Sequence, residues 1–402
     1  MDWNIVLLLI EEKKKSLNES VTVEYEACKI DIKSNIWSQI NNIKNILGIL
    51  FSNKFICEKK CCNVYSFDDI TLWNYLERSI QDYYKGEEVF LHETSKYIKY
   101  EFHDRALLME CNKKSFILCL YNNNSFFYVK KSEKDFESKD TVRILRHIIH
   151  NSFIGAGGIT IHAAAAETNN VGVCIVGPSG CSKTTIFLNC IYKNNAKIMA
   201  NDNVILFNDN KKIYICGTSF SVNIFPEVLN GFTLLKEYVL DKYSKNEVIK
   251  NFINYNYKSN FESNKKILPL SGMTHYVNEK ISISMFELSL VMNTSVVKTS
   301  ELNLILLPEF NFKNIDNSLE IASYEDVFKK LENALLPPSI SYYDNWTRLG
   351  MISEDLYKRR VDLILEKLLN DKIKGFFIKG NRFMYNFNEW EQLFKNIGTS
   401  KK

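Results

Sequence analysis

One short segment of this chain combines the residue types that bind phosphate. Residues 177–184 are Gly-Pro-Ser-Gly-Cys-Ser-Lys-Thr and have the form G-x-x-x-x-x-K-[ST]; we name them the phosphate loop. Backbone N–H groups of residues 180–184 can point into one concavity, and a helix that follows presents its positive end to the same place. Lys183 can reach the β- and γ-phosphates, and the Thr184 hydroxyl can bind Mg²⁺. The loop therefore predicts a site for the phosphates of ATP.

The flanking residues favour this interpretation over a chance match. An apolar run at residues 171–176 predicts a strand that ends directly before the loop, and residues 184–192 have the pattern of a helix. Ser182 stands where the last glycine of the pattern is expected. A Cβ there crowds the phosphate or restricts φ, although a Ser can adopt a helix-like backbone without strain. The alternative is an ordinary Ser/Gly turn followed by a lysine. The predicted phosphate-binding residues are Gly177, Pro178, Ser179, Gly180, Cys181, Ser182, Lys183, Thr184 and Thr185.

The elements around the loop alternate between strands and helices. Residues 159–166 form another apolar run, and short runs of this kind are typical of strands buried on both faces. A polar stretch at residues 241–266 indicates a mobile or functional loop. Together the elements predict an α/β domain over residues 139–402. Its further strands are predicted at residues 197–200, 204–207 and 281–291, and its amphipathic helices at residues 324–336 and 354–370.

The first part of the chain, residues 1–138, has the pattern of a smaller α+β domain. Its apolar run at residues 5–10 is far shorter than the roughly 20 residues of a membrane span and predicts a buried first strand. Two strand-like runs around the three asparagines at 122–124 predict a β-hairpin. Helical periodicity at residues 141–152 then begins the second domain.

Three motifs of the second domain occur together in a known family. They are Gly158-Ile-Thr-Ile-His162, the phosphate loop, and Ile198-Met-Ala-Asn-Asp202. Their order, with fifteen residues from His162 to Gly177, resembles the catalytic domain of HPr kinase/phosphorylase. The motifs are more closely similar to those of the HPr-kinase-related proteins of ribosomal-peptide pathways, including lasso-peptide kinases. The resemblance covers about residues 140–220.

The resemblance implies a P-loop kinase domain with a fold like that of phosphoenolpyruvate carboxykinase. It implies that ATP and Mg²⁺ are used to phosphorylate a Ser of a protein or peptide. In that case Asp202 acts as the base toward the acceptor hydroxyl or as a metal ligand, and His162 lies near the transferred phosphate. The implied catalytic residues are Asp202, His162 and Lys183, and the implied metal ligands are Thr184 and Asp202.

The acidic pair of the family is incomplete in this chain. Asn201 and Asn203 flank a single carboxylate, Asp202. If Asn201 occupies the base position, catalysis is weak or absent, because an amide cannot take a proton at neutral pH. If Asp202 is the base, its missing partner lowers the affinity for metal instead. We prefer Asp202 as the main catalytic carboxylate; the competing interpretation is a turn Asp that bonds to nearby backbone.

Three further residues have both a functional and a structural interpretation. His162 could instead be a buried side chain whose hydrogen bonds are satisfied. Arg348 could clamp a phosphate with two parallel hydrogen bonds, or lie on the surface. Glu227 could face the site, or begin a helix after Pro226.

Composition and charge argue against several protein classes. The net charge is +4 over 402 residues, without a basic block, so we expect no nucleic-acid partner. No apolar run is long enough for a membrane span, so we expect no membrane partner. Cys57, Cys61 and Cys62 form a cluster that lacks the spacing of a zinc site, which indicates reduced thiols and a cytoplasmic protein. The oligomeric state stays open, a homo-oligomer included.

The sequence therefore predicts an ATP-dependent kinase that transfers the γ-phosphoryl group to a hydroxyl, foremost a Ser of a peptide or protein. The first domain and residues 241–266 are the candidates for recognition of this acceptor. Two alternatives stay open. One is a kinase with the same site that acts on a small molecule, and the other is a nucleotide-binding sensor or scaffold without chemistry, which the incomplete acidic pair permits.

Overall fold

The chain forms two compact units in its structure, a computed structural model. One unit consists of Met1–Thr160 and Leu336–Asp362, and the other of Ile161–Leu335 and Leu363–Lys402. Helices and sheets occur in both units, which confirms the mixed α/β class. The structure describes residues 3–24, 27–36, 40–41, 43, 60–80, 86–92, 95–112, 114–131, 139–209, 211–218, 221–244, 280–311, 318–336, 346–349 and 351–381.

The first unit is built on one sheet. Its strands are β1 (Glu19–Glu24), β2 (Cys28–Ser34), β3 (Lys60–Asp68), β4 (Glu87–His92), β5 (Ser95–Glu101), β6 (Arg105–Glu110), β7 (Ser115–Leu120) and β8 (Ser125–Lys130). They form an eight-stranded sheet in the order β1-β2-β3-β8-β7-β6-β5-β4. The helices of this unit are α1 (Trp3–Lys14), α2 (Ile70–Ile80) and α3 (Lys139–Gly155).

Helix α1 replaces the first strand that the sequence predicted at residues 5–10, and that prediction is wrong. Val6 and Ile10, four residues apart, are buried, whereas Leu8 is exposed. This spacing is the period of a helix with one apolar face. The buried face packs in the same core as Leu76 of α2. A short apolar run alone cannot distinguish a strand from a helix of this kind.

Two other predictions in this unit are confirmed. Strands β7 and β8 form the antiparallel hairpin, and the turn between them ends at Asn124 with a left-handed backbone (φ 49°). Helix α3 covers the predicted helix at residues 141–152. It belongs to the first unit because it packs against β2, β3 and β4. The division between the units therefore differs from the predicted boundary between residues 138 and 139.

The second unit contains the phosphate loop. Its strands are β9 (Ile159–Ile161), which enters from the first unit, β10 (Ala163–Thr168), β11 (Val171–Val176), β12 (Lys197–Ala200), β13 (Val204–Asn208), β14 (Ile213–Gly217), β15 (Ser221–Ile224), β16 (Ile281–Ser284), β17 (Thr299–Asn311), β18 (Ser318–Ile321) and β19 (Lys374–Asn381). Its helices are α4 (Lys183–Asn194), α5 (Thr233–Lys242), α6 (Met285–Val291), α7 (Tyr324–Ala334) and α8 (Glu354–Asn370), the last of which begins in the first unit.

Strand β11 lies inside the main sheet of this unit. The sheet contains the order β12-β10-β11-β17-β14-β13, with β19 also paired to β17. Strands β11, β17 and β19 are parallel, while β10 runs antiparallel to β11. Helices α4, α5 and α6 pack in one core with this sheet, through side chains such as Phe187, Leu235 and Leu288.

The strand predicted at residues 281–291 is only partly correct. The chain leaves the strand conformation at Ser284, where α6 begins with a capping box. The Ser284 hydroxyl accepts a hydrogen bond from the Glu287 N–H, and the Glu287 carboxylate accepts one from the Ser284 N–H. The pattern Ser-x-x-Glu before an apolar run could have revealed this helix start. Among the described helices, none combines the length and apolar character needed to cross a membrane.

Gly172 generates a test of how tightly β11 is packed. A Cβ at this position would lie 2.2 Å from the Glu301 carbonyl oxygen, a backbone atom of the neighbouring strand β17. We expect Gly172→Ala to lower the free energy of unfolding by about 2 kcal/mol, because the backbone cannot turn away from the added methyl group. Urea unfolding measures the loss.

Gly375→Ala is the matched control for this substitution. Its Cβ would lie 2.3 Å from Val327 Cγ2, which is a side-chain atom that can rotate. We therefore expect a smaller loss than for Gly172→Ala. Equal losses for the two variants would contradict this account of the contact.

Candidate functional site

Strand β11 leads the chain directly into the phosphate loop. All six residues of β11 are buried, and it is hydrogen-bonded to β10 on one side and to β17 on the other. The loop leaves the sheet after Val176, and α4 begins at Lys183. The unpaired N–H groups of the first turn of α4 therefore lie at the loop, where they can bind an anion.

The backbone of the loop places strict demands on three positions. Gly180 and Ser182 both have left-handed conformations, with φ of 79° and 75°. Of the two possibilities for Ser182, the structure shows the restricted φ and not the helix-like backbone: the residue adopts the region that favours glycine, where a Cβ costs about 1 kcal/mol. Gly177 is restricted by space instead, since a Cβ there would lie 2.6 Å from the Cys181 Sγ.

The Lys183 side chain turns back onto its own loop. Its Nζ donates to the carbonyl oxygens of Gly177 at 2.7 Å and Pro178 at 2.9 Å. The side chain is buried. Burial lowers the pKa of the Lys183 amine, while Cys181 and Asp202 shift that pKa in the opposite direction. The Lys183 amine is therefore held beside the carbonyl groups at the start of the loop.

Thr184 and Thr185 have different surroundings. The Thr184 hydroxyl donates to Oδ1 of Asn201 at 3.3 Å, and Asn201 is buried in the turn after β12. The hydroxyl that was predicted to bind Mg²⁺ therefore lies beside an amide oxygen. Thr185 is buried, and its carbonyl accepts a hydrogen bond from the side chain of Asn189, one turn later in α4.

Asp202 lies in the turn between β12 and β13 and has a left-handed backbone (φ 77°). Its Oδ2 accepts a hydrogen bond from Nδ2 of Asn223, in β15, at 3.3 Å. Asp202 lines the cavity at the phosphate loop, while Asn201 contacts Thr184. Asn203 is buried. The three neighbouring polar residues of this turn therefore have three different environments.

His162 lies in the short link between β9 and β10. Its backbone N–H donates to the Ala334 carbonyl at 2.7 Å, and its imidazole lines the same cavity as Lys183 and Asp202. Burial lowers the pKa of His162 below its usual value, and the positive charge of Lys183 lowers it further, although Asp202 acts in the opposite direction. The imidazole is therefore neutral at pH 7.

These side chains border one small cavity of about 50 Å³. This volume corresponds to a few water molecules and suits one phosphate group, so the remainder of a nucleotide would extend outside it. Among the described residues, Asp202 is the only carboxylate in the lining. The lining residues are His162, Ser179, Gly180, Ser182, Lys183, Thr184, Thr185, Asp202, Phe225, Val228 and Lys280.

Lys280 belongs to this cavity although no sequence motif marks it. Its Nζ lies 5.0 Å from the centre of the Phe225 ring. The positive charge of Lys280 also contributes to lowering the pKa of both His162 and Lys183. The antiparallel pairing of β15 with β16 brings Lys280 beside Phe225. This long-range pairing is not visible in the sequence, so Lys280 could not be separated from the other basic residues.

The proposed phosphate clamp Arg348 has other partners in the structure. Its guanidinium lies 2.6 Å from the Glu101 carboxylate and 4.4 Å from the centre of the Tyr121 ring. All three residues belong to the first unit. The surface interpretation of Arg348 therefore agrees better with its contacts than the phosphate-clamp interpretation does.

Glu227 and the cysteine cluster are the remaining candidates from the sequence. Glu227 is the second residue of a 3-10 helix at Pro226–Gly231, as its helix-start interpretation predicts. Cys57 lies outside the described residues, while Cys61 is exposed and Cys62 is buried. Throughout the described part of the chain, no three His, Cys, Asp or Glu side chains form a group that could hold a metal ion.

Comparisons with known proteins do not extend this picture. No protein-family model matches the chain, and a search of curated proteins found no match either. The function of the chain has therefore to be inferred from the geometry of the cavity and from the motifs of the sequence.

The backbone of Ser182 leads to a stability prediction. We expect Ser182→Gly to raise the free energy of unfolding by about 0.5–1 kcal/mol, because glycine adopts a positive φ without the steric cost of a Cβ. Ser179→Gly is the control in the same loop, since Ser179 does not have a positive φ. This variant should not raise the free energy of unfolding. Urea unfolding compares the two variants, and a Ser182→Gly protein no more stable than the parent would contradict the assigned backbone.

Proposed function

We propose that this chain is an ATP-dependent kinase of the HPr-kinase-related type, which transfers the γ-phosphoryl group of ATP to a hydroxyl, foremost a Ser of a peptide or protein. One observation carries the proposal: Lys183 at the start of α4 and Asp202 on a neighbouring turn border a single cavity of phosphate size. Phosphoryl transfer needs a cation for the phosphate and a base for the acceptor within reach of the same phosphorus atom.

The phosphate side of the site is formed by the first turn of α4 and two lysines. Lys183 exchanges its hydrogen bonds to the loop carbonyls for charge-assisted bonds to phosphate oxygens, which are the stronger kind. Lys280 places a second positive charge at the cavity. The site is therefore complementary to the negative charge of the group in transfer.

The acceptor side of the site is formed by Asp202 and His162. The hydrogen bond from Asn223 restricts rotation of the Asp202 carboxylate. The proton moves from the acceptor hydroxyl to Asp202 as the new P–O bond forms and the bond to the ADP leaving group breaks. His162 is neutral at pH 7, so it can orient the phosphate or the hydroxyl by a hydrogen bond without adding charge.

The residues around Thr184 fit a Mg²⁺ ion. The Thr184 hydroxyl, the Asn201 amide oxygen and the Asp202 carboxylate are oxygen donors, the type that Mg²⁺ prefers. Mg²⁺ commonly takes few protein ligands and completes its shell with water and phosphate oxygens, which suits the small number of carboxylates here. When bound, it would neutralise negative charge on the phosphates.

The position of Asn201 supports the alternative in which Asp202 is the base. Asn201 lies against the Thr184 hydroxyl, on the metal side, whereas Asp202 lines the cavity with Lys183. Because Asn201 is an amide and not a carboxylate, the affinity of the site for Mg²⁺ is lower, while Asp202 can still act as the base.

The acceptor, the family and the cytoplasmic location are parts of the proposal that depend on the motif resemblance. The first unit is the proposed recognition unit for a peptide or protein. Residues 241–266 are the second candidate, although residues 245–266 lie outside the described part of the chain. A small-molecule acceptor is the alternative with the same chemistry.

One observation favours a function of another class, a nucleotide-binding sensor or scaffold. Within the described lining, Asp202 supplies the only carboxylate. If Asp202 does not act as a base, the loop binds a nucleotide and no other described carboxylate of the cavity can assist phosphate transfer. The kinase and the sensor therefore differ in what Asp202 does.

The first test separates binding from transfer. We expect Lys183→Ala to weaken ATP binding about tenfold or more, because it removes a charged hydrogen-bond donor. We expect Asp202→Asn to keep ATP binding and to lower transfer to peptide or protein acceptors about a hundredfold or more, because an amide cannot act as a base. Calorimetry with ATP and transfer of labelled phosphate measure the two effects.

Asp209→Asn is the matched control for Asp202→Asn. Asp209 follows β13 and accepts hydrogen bonds from the backbone N–H groups of Lys211 and Lys212. The Asp209→Asn variant should therefore leave the rate of phosphate transfer unchanged. Binding of ATP without transfer to any peptide, protein or small-molecule acceptor would contradict the kinase proposal. It would favour the nucleotide-binding sensor or scaffold instead. Transfer that survives Asp202→Asn would remove Asp202 as the base.

The second test adds the missing carboxylate. We expect Asn201→Asp to lower the Mg²⁺ concentration for half-maximal transfer by about fivefold or more, because a carboxylate binds this ion better than an amide does. Asn201→Ala should raise that concentration. A titration of transfer against Mg²⁺ measures both, and a half-maximal concentration that does not change in either variant would remove Asn201 from the metal side of the site.

A further inference from the structure

A second and larger cavity lies in the second unit, at the opposite end of β11 from the phosphate loop. Its volume is about 440 Å³, and Val171, the first residue of β11, is part of its lining. The six residues of β11 span about 17–20 Å, so the two cavities are separate. The larger cavity is bordered by the entries to β14, β17 and β19.

The cavity has an apolar floor that is fixed in place. Ile213, Leu302 and Ile373 are buried and line it. One wall is held by Asn303, whose Oδ1 accepts a hydrogen bond from the Gly172 N–H and whose Nδ2 donates to Glu301. The first bond joins β17 to β11 and the second fixes the Asn303 amide within β17, so the space is preformed.

The rim of the cavity carries an excess of positive charge. Four lysines and two carboxylates line it. Both carboxylates have cationic partners already: Glu301 pairs with Lys212 at 2.5 Å, and Asp371 pairs with Lys367 at 2.7 Å. Within the described part of the chain, no ion pair involves the remaining three lysines of the rim, which are Lys211, Lys372 and Lys374.

The backbone of Lys372 gives independent support for a role of its side chain. Lys372 has φ of 52° and follows the end of α8, where its N–H donates to the Leu369 carbonyl at 3.1 Å. Glycine is the usual residue at such a helix end, because a Cβ is unfavourable in this conformation. A lysine at this position carries a conformational cost, and its side chain reaches the rim of the cavity.

We propose that this cavity binds a small organic anion with an apolar body and two or three negative groups. The volume lies in the range of pockets for small molecules. The apolar floor would bury the body of the ligand, and Lys211, Lys372 and Lys374 would face its negative groups. The proposal is independent of the proposed kinase function, because none of these residues lines the phosphate cavity.

The test uses 8-methoxypyrene-1,3,6-trisulfonate, a fluorescent trianion with an apolar ring, and the full chain. We expect saturable binding in a fluorescence anisotropy titration. Binding should weaken about tenfold or more when Lys211→Gln, Lys372→Gly and Lys374→Gln are combined. Lys372→Gly alone should weaken binding while it raises stability in urea, because glycine relieves the left-handed position. A purely structural role for Lys372 would not produce this combination.

Three controls make the result specific. Lys329→Ala removes an exposed lysine of α7 outside the cavity and should leave binding unchanged. Lys183→Ala should also leave it unchanged, which separates this cavity from the phosphate loop. Benzene-1,3,5-tricarboxylate should displace the probe at lower concentration than propane-1,2,3-tricarboxylate, since both carry the same charge but only the first has an apolar ring.

Several outcomes would overturn the proposal. Binding that is equally strong in the triple variant, or equally weakened by Lys329→Ala, would show a nonspecific effect of charge. Loss of binding in Lys183→Ala would place the probe at the phosphate loop. Displacement by a hepta-glutamate peptide at lower concentration than by either tricarboxylate would replace the small molecule by an acidic peptide.

Discussion

Strand β11 has hydrogen-bonded neighbours on both sides and no exposed residue, and this constraint determines where the chemistry of the second unit can lie. A strand held in this way cannot shift its register, because its close contact at Gly172 leaves no room for a side chain beside Glu301. The phosphate loop therefore starts from a fixed point. Helix α4 begins six residues after Gly177, and its first turn is fixed by the same core.

The charges at the loop follow from this arrangement. Lys183, Lys280 and Asp202 share a small cavity with an imidazole that burial keeps neutral. Two cations and one carboxylate leave an excess of positive charge, which an anion can compensate. Lys183 meanwhile satisfies two carbonyl groups of its own loop. A bound phosphate has to replace those bonds, so the gain on binding is smaller than its new contacts alone would indicate.

The sequence predicted the parts of this unit that depend on local pattern. The apolar runs identified β11 and, as a single strand, the residues that the structure divides into β9 and β10. The spacing of Lys and Thr identified the start of α4. The sequence could not decide the conformation or place of residues that depend on distant partners. The backbone of Ser182 is set by the path from β11 to α4, and Lys280 enters the cavity through a strand pairing between segments far apart in the chain. Helix α1 was missed for another reason, since a short apolar run fits two periods, and only its packing with α2 decides between them.

The two units are interleaved along the chain. The chain passes from one unit to the other after Thr160, after Leu335 and after Asp362. During synthesis, the first unit is therefore incomplete until residues 336–362 have left the ribosome, by which time most of the second unit has been made. Domains usually fold in order from the N-terminus, but the first unit cannot do so before residues 336–362 have been made. Because each unit consists of two segments of the chain, neither can be isolated by a single cleavage of the chain. The two segments of a unit are far apart in the sequence, so their contacts close long loops, which slows folding.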